Sequence, residues 1–114
     1  MNSKDIAMNI ANLLNSKKAE EIAVINIAEK SSFADFLVVA SGNSERHLES
    51  LIDDVEDNAA KLEIPTKGIE GKNGSGWILL DLGDVIVNIF SREMRVKYNI
   101  EKVWADCEMT KVED

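Results

Sequence analysis

WILLDLGDVIVNIF, residues 77–90, decides the fold. Two six-residue runs of mostly apolar side chains flank Gly83-Asp84. That dipeptide suits the centre of a tight hairpin, because glycine accepts the positive φ that a type II′ turn places first. A two-residue loop sets the register: Leu82 opposite Val85, Leu80 opposite Val87 and Ile78 opposite Ile89, all apolar and all on one face. The other face pairs Asp81 with Ile86, Leu79 with Asn88 and Trp77 with Phe90, so two polar groups stand among large hydrophobes. Two readings of that mixed face are open. Either helices cover both sides and Asp81 and Asn88 are buried polar groups with partners, or the mixed face is a binding surface beside a core.

Upstream of the hairpin, Ile22 to Ala28 reads as a strand with Ala23, Ile25 and Ile27 on one face. Asp35 to Ser41 contains FLVVA, the unbroken apolar run of a central strand. Before them, Ile6, Ile10, Leu13 and Leu14 follow the spacing of a buried helical stripe that Ser3 can cap. After them, Ser44 caps the clearest helix in the chain, where Leu48, Leu51, Ile52, Val55, Ala59 and Leu62 recur three and four apart and a row of acids faces solvent. Pro65, the only proline, closes that region. A short strand around Lys67 to Glu70 follows, then GKNGSG as a flexible loop leading into Trp77. Beyond the hairpin, Ser91 can cap a last helix running to about Asn99. These elements make an α/β or α+β fold: a mixed sheet of about five strands with flanking helices.

At 114 residues the chain reads as one domain over 1–114, with an ordered core of about 3–104 and a C-terminal tail, 105–114, that frays. The longest apolar run, Phe36 to Ala40, is far short of the roughly 20 residues that cross a bilayer. MNSKDIAMNI has no basic segment followed by an apolar one, so a cytoplasmic location is expected and a membrane partner is not. The single Cys107 agrees with a reducing compartment. Thirteen basic against twenty-one acidic residues leave a charge of −8, which opposes binding to phosphate backbones and suits a basic protein partner.

Catalytic chemistry has thin support. Gly71 to Gly76 contains a Gly-Lys pair, but a phosphate-cradling loop needs that pair at the start of a helix, and here a strand follows. His47 has no second histidine and no nearby cysteine with which to bind a metal, so solvent or a partner is its expected contact. Asp35, Asp81 and Asp84 lie at strand ends where a two-metal phosphoryl-transfer site could stand, although no closely spaced acidic pair occurs within one strand.

Taken in order, a set of segments resembles the ribosomal silencing factor family, RsfS, also called Iojap. They are Ala34-Asp35-Phe36-Leu37-Val38-Val39, Ser41-Gly42 with Ser44 and Arg46-His47, Glu70-Gly71, Trp77, Asp81-Leu82-Gly83-Asp84-Val85, and then Arg95, Tyr98, Glu101 and Trp104. The match rests on order and spacing, not on one motif. It implies a non-catalytic, nucleotidyltransferase-like fold without a cofactor. It also implies a protein that binds the large ribosomal subunit at its fourteenth protein, blocks joining of the small subunit and represses translation when nutrients are scarce. On that reading Trp77 and Tyr98 are aromatic anchors, Asp81, Asp84 and Glu101 charge-complementary contacts and Arg95 an orienting donor, with Gly83 and Asn88 in the same surface. The family carries histidine where this chain has Asn88, which keeps hydrogen bonding but removes a titratable ring. Each residue also has a purely structural reading: Trp77 filling the core, Arg95 pairing with Glu101 inside the protein, Gly83-Asp84 serving only the turn. Two other functions stay open, a metal-dependent nucleotidyltransferase using Asp35, Asp81 and Asp84, and a module that forms a homodimer through the mixed face.

Overall fold

In the computed structural model, which describes residues 1–113, the hairpin has the expected register. Strands β4 (Trp77–Asp81) and β5 (Val85–Ser91) pair Trp77 with Phe90, Ile78 with Ile89, Leu79 with Asn88, Leu80 with Val87 and Asp81 with Ile86. The Leu82 N–H donates to the Val85 carbonyl at 3.0 Å, and Gly83 takes φ +91°. Around this hairpin the chain runs α1 (Ser3–Ser16), β1 (Glu20–Asn26), β2 (Phe36–Gly42), α2 (Glu45–Lys61), β3 (Gly68–Glu70), β4, β5, α3 (Arg92–Lys97), α4 (Ile100–Val103) and β6 (Met109–Val112). The mixed sheet has the order β3-β4-β5-β2-β1-β6, and only β2 and β5 are parallel neighbours. FLVVA is central, as its unbroken apolar run requires: every residue of β2 is buried.

Two cores divide the sheet by face. Ile78, Leu80, Leu82, Val85, Val87 and Ile89 form the dry face, packed under Ala7, Ile10, Ala11 and Leu14 of α1 and Leu48, Leu51, Ile52, Val55 and Ala59 of α2. The opposite face has a smaller core of Ile25, Ile27, Ala34, Leu37, Val39 and Phe90, roofed by Met94, Ile100 and Trp104. That roof lies on the β5-β2-β1 side and leaves the β3-β4 flank half open. The mixed face is therefore covered as a second core at one end and only half-buried at the other, where Trp77 and Leu79 lie.

Five expectations change. The sheet has six strands, not five. Residues 109–112, expected to fray, pair antiparallel with β1 from Ile22↔Val112 to Ile25↔Met109. Met109 reaches the smaller core and Val112 the larger, so the short strand is held from both faces. Residue 114 of the expected tail lies outside the described residues. The cap of α1 is Asn2, whose Oδ1 accepts from the Asp5 N–H at 2.8 Å; Ser3 sits inside the first turn and donates to Asp35 Oδ2 at 3.0 Å. Strand β1 starts two residues earlier and stops at Asn26, because the Asn26 side chain accepts from the Ala28 N–H and turns the chain. The last helix ends at Lys97 and restarts as α4, with Asn99 breaking the helical backbone between them. Ser44 and Ser91 do cap α2 and α3, each accepting an N–H three residues on.

Both long helices end in the same way. In α2 the Ile64 N–H bonds to the Ala59 carbonyl at 2.8 Å and the Glu63 N–H to the Ala60 carbonyl at 3.0 Å, which forces Glu63 to φ +60°. A glutamate there has a Cβ crowding the backbone that glycine would lack. Glu63→Gly is expected to raise stability by about 0.5–1 kcal/mol in urea melts, and a decrease would show that Glu63 makes a stabilising contact elsewhere.

Candidate functional site

The half-open flank begins with Trp77. Its indole stacks on Phe90 with ring centroids 5.1 Å apart, and its Nε1–H donates to Asn88 Oδ1 at 3.1 Å. Asn88 is almost fully buried and has its partner, so its place beside Trp77 is set by packing and by one hydrogen bond. Tyr98, at the C-cap of α3, packs directly against the indole, its ring tilted 41° at a centroid distance of 5.0 Å. Tyr98 is 42% exposed, and the Lys97 Nζ lies 5.6 Å from its ring centroid. Glu70, Trp77, Leu79, Met94 and Tyr98 line an open cavity of about 280 Å³. Of these, Glu70, Leu79 and Met94 were not singled out from the sequence as contacts. The β3-β4 register puts Glu70 directly beside Leu79, and the pleat turns both to the mixed face.

Arg95 and Glu101 lie behind this surface. The Arg95 side chain is 9% exposed; its Nε donates to Glu101 Oε1 at 2.8 Å, Nη1 to Ser41 Oγ at 3.0 Å and Nη2 to the Glu21 carbonyl at 2.6 Å. Glu21 reaches that position through an irregular step in β1, where its φ is +48°. One guanidinium thus joins α3, α4, β1 and β2, and through them fixes where α3 presents Tyr98. The internal Arg95–Glu101 pair is what the structure shows, and both residues also line a larger cavity of about 500 Å³. Beside it, Arg92 and Glu20 form a two-pronged pair at 2.5 and 2.7 Å, which holds the Glu20 carboxyl below its ordinary pKa.

Asp81, Gly83 and Asp84 form a separate group at the hairpin tip, with Asp84 roughly 13 Å along β5 from Asn88. Asp81 is half-buried and its Oδ1 accepts from the Gly83 N–H at 2.8 Å; Asp84 is exposed, and its carbonyl accepts from the Asp35 and Phe36 N–H groups. Asp84 therefore braces β2 with its backbone and leaves its carboxylate in solvent. Asp35 and Asp81 each already hold a donor, Ser3 and Gly83 respectively. Among the described residues no three His, Cys, Asp or Glu side chains are grouped so as to hold a metal ion. No helix is long and apolar enough to cross a membrane.

Two expectations about single residues are corrected here. His47 is not a free contact: its Nδ1 accepts from the Asn43 N–H at 3.0 Å and its Nε2 lies 3.1 Å from the Lys17 carbonyl, tying the end of α1 to the turn before α2. The 71–76 loop, expected to be flexible, is moored to α2 by Lys72, whose Nζ donates to Asp53 at 2.8 Å and to Glu56 at 3.4 Å; Asp53 raises the pKa of that ammonium.

Comparison with known proteins gives one consistent answer. A family model described as ribosomal silencing factor during starvation, RsfS, matches residues 1–114. The chain is similar to the ribosomal silencing factor RsfS of Halalkalibacterium halodurans, with 33% identity over 113 residues, 99% of this chain and 97% of that one. It is 31% identical over 103 residues to a mouse protein named for mitochondrial assembly of the ribosomal large subunit, covering 88% of this chain and 45% of that protein. A crystal structure of a protein from Chromobacterium violaceum superposes with a TM-score of 0.88 at 27% identity, over 92% of this chain and 88% of the other.

Proposed function

The chain belongs to the ribosomal silencing factor family, RsfS, and we propose that it represses translation by steric exclusion, docking on the large ribosomal subunit through that subunit's fourteenth protein and blocking the small one. The observation that carries this reading is the Trp77–Tyr98 flank, an apolar, aromatic surface with Glu70 on its rim and the acidic hairpin tip further along the same hairpin. Aromatic anchors with exposed carboxylates at Glu70 and Asp84 suit a basic protein face, although Lys97 also stands beside Tyr98. The mouse relative's name, with its reference to the ribosomal large subunit, supports the choice of subunit. No chemical step is part of this function: exclusion needs only that the bound domain occupy space the small subunit needs.

Sucrose-gradient fractions of a lysate test it. The protein is expected with free large subunits and absent from joined ribosomes; equal occupancy of both would reject steric exclusion. The hairpin tip offers a second check. Asp84 is exposed, so Asp84→Lys should change stability by under about 1 kcal/mol. Against a basic patch the reversed charge should weaken binding by about 2 kcal/mol, roughly thirtyfold. Asp57→Lys, on the exposed side of α2, is the charge-matched control, and titrations at two salt concentrations separate local contact from net charge. Equal weakening by both variants would remove the tip from the interface.

A further inference from the structure

We propose that the Trp77–Tyr98 cavity receives an arginine side chain from the docking partner, its guanidinium stacked against the two rings and paired with Glu70. This rests on the docking reading above and adds to it the chemistry of the central contact. The cavity, about 280 Å³, lies just below the roughly 300–1,000 Å³ of small-molecule sites and fits one long side chain. Apart from Glu70, it is walled by the side chains of Trp77, Tyr98, Met94 and Leu79 and by Gly71 and Ser75, whose hydroxyl donates to the Trp77 carbonyl at 3.2 Å. The one polar hydrogen of the indole is engaged by Asn88, so Trp77 offers the cavity only its aromatic surface. Such surfaces attract cations, and Tyr98 already does so, since the Lys97 ammonium stands 5.6 Å from its ring centroid.

Glu70 decides between an arginine and an apolar occupant. It is exposed on the rim, and its carboxylate has no cationic or hydrogen-bonding partner among the described residues. A leucine or phenylalanine filling the cavity would strip water from that carboxylate and return nothing. A guanidinium returns two parallel N–H donors while its plane lies on the rings. A lysine ammonium is a more strongly hydrated point charge without that planar face, so it matches the carboxylate and not the walls. The chain's charge of −8 brings cationic segments to the surface.

The test titrates the full chain with N-acetyl-arginine methylamide, and in parallel with the lysine and leucine analogues, following the Trp77 indole and Met94 methyl resonances by NMR. The arginine probe is expected to shift both with a millimolar dissociation constant, while leucine at equal concentration leaves them in place and lysine binds more weakly. Glu70→Gln and Tyr98→Leu should each weaken the arginine probe by about threefold or more, and Lys97→Ala, which removes a competing cation, should strengthen it. Thermal melts confirm that each variant is folded. Absence of shifts with arginine, equal binding of lysine or leucine, or an unchanged affinity in Glu70→Gln would each overturn the assignment. Failure of the probe with intact co-sedimentation rejects this inference alone. Probe binding without co-sedimentation rejects the docking reading and leaves the cavity's preference standing.

Discussion

Arg95→Met is expected to lower stability by about 3 kcal/mol, the largest loss from any single substitution considered for this protein. The methionine fills much of the space, so the loss is electrostatic. Removing the guanidinium leaves the Ser41 hydroxyl and the Glu21 carbonyl without their donor, and the Glu101 carboxylate without its counter-charge. The figure sits at the low end of the range for a broken buried pair, because Glu101 remains 28% exposed and recovers part of its hydration. Urea melts of the variant provide the measurement, and a loss under about 1 kcal/mol would show that the clamp is slack. The double variant Arg95→Met, Glu101→Leu should regain part of the loss, since it removes the stranded charge. Ribosome binding by the folded fraction should also fall, because α3 would no longer be held where it presents Tyr98.

Tyr98→Ala is expected to do the reverse, preserving the fold and removing the function. Tyr98 is partly exposed at the C-cap of α3, and its loss should change stability by roughly 1 kcal/mol. If the Trp77–Tyr98 pair is the centre of the interface, truncation should weaken binding to large subunits by about 3 kcal/mol, somewhat over a hundredfold. Titration of purified large subunits with labelled protein measures it. Val96→Ala is the control, an exposed apolar residue of the same helix that does not line the cavity. Similar losses in both variants would point to a diffuse apolar contact, and an unchanged affinity for Tyr98→Ala would place the interface elsewhere.

How much of this could be read in advance varied with the range of the interactions. The hairpin register was legible because a period of two and one Gly-Asp turn determine which side chains face each other. The helix stripes were legible for the same local reason, and so were the Ser44 and Ser91 caps. The sixth strand was not: MTKV is four residues long, too short for alternation to stand out, and it is held by the free edge of β1 and by one side chain in each core. His47 and the 71–76 loop were misread because Lys17, Asp53 and Glu56 are brought to His47 and Lys72 by folding; only Asn43, four residues before His47, is a local partner.

The candidate site divides in the same way. Sequence by itself determined a hairpin with one dry and one mixed face, an acidic chain, and the ordered residues that mark the family, because each depends on spacing or composition along the chain. Only the tertiary structure decided that Trp77 meets Tyr98, that Glu70 stands at their rim unpaired among the described residues, and that Arg95 turns inward to clamp four elements instead of outward to a partner. Those facts arise where α3 and α4 cover part of the sheet and stop short of β3 and β4. Where a roof ends depends on how two layers pack, and no local pattern in either layer encodes it.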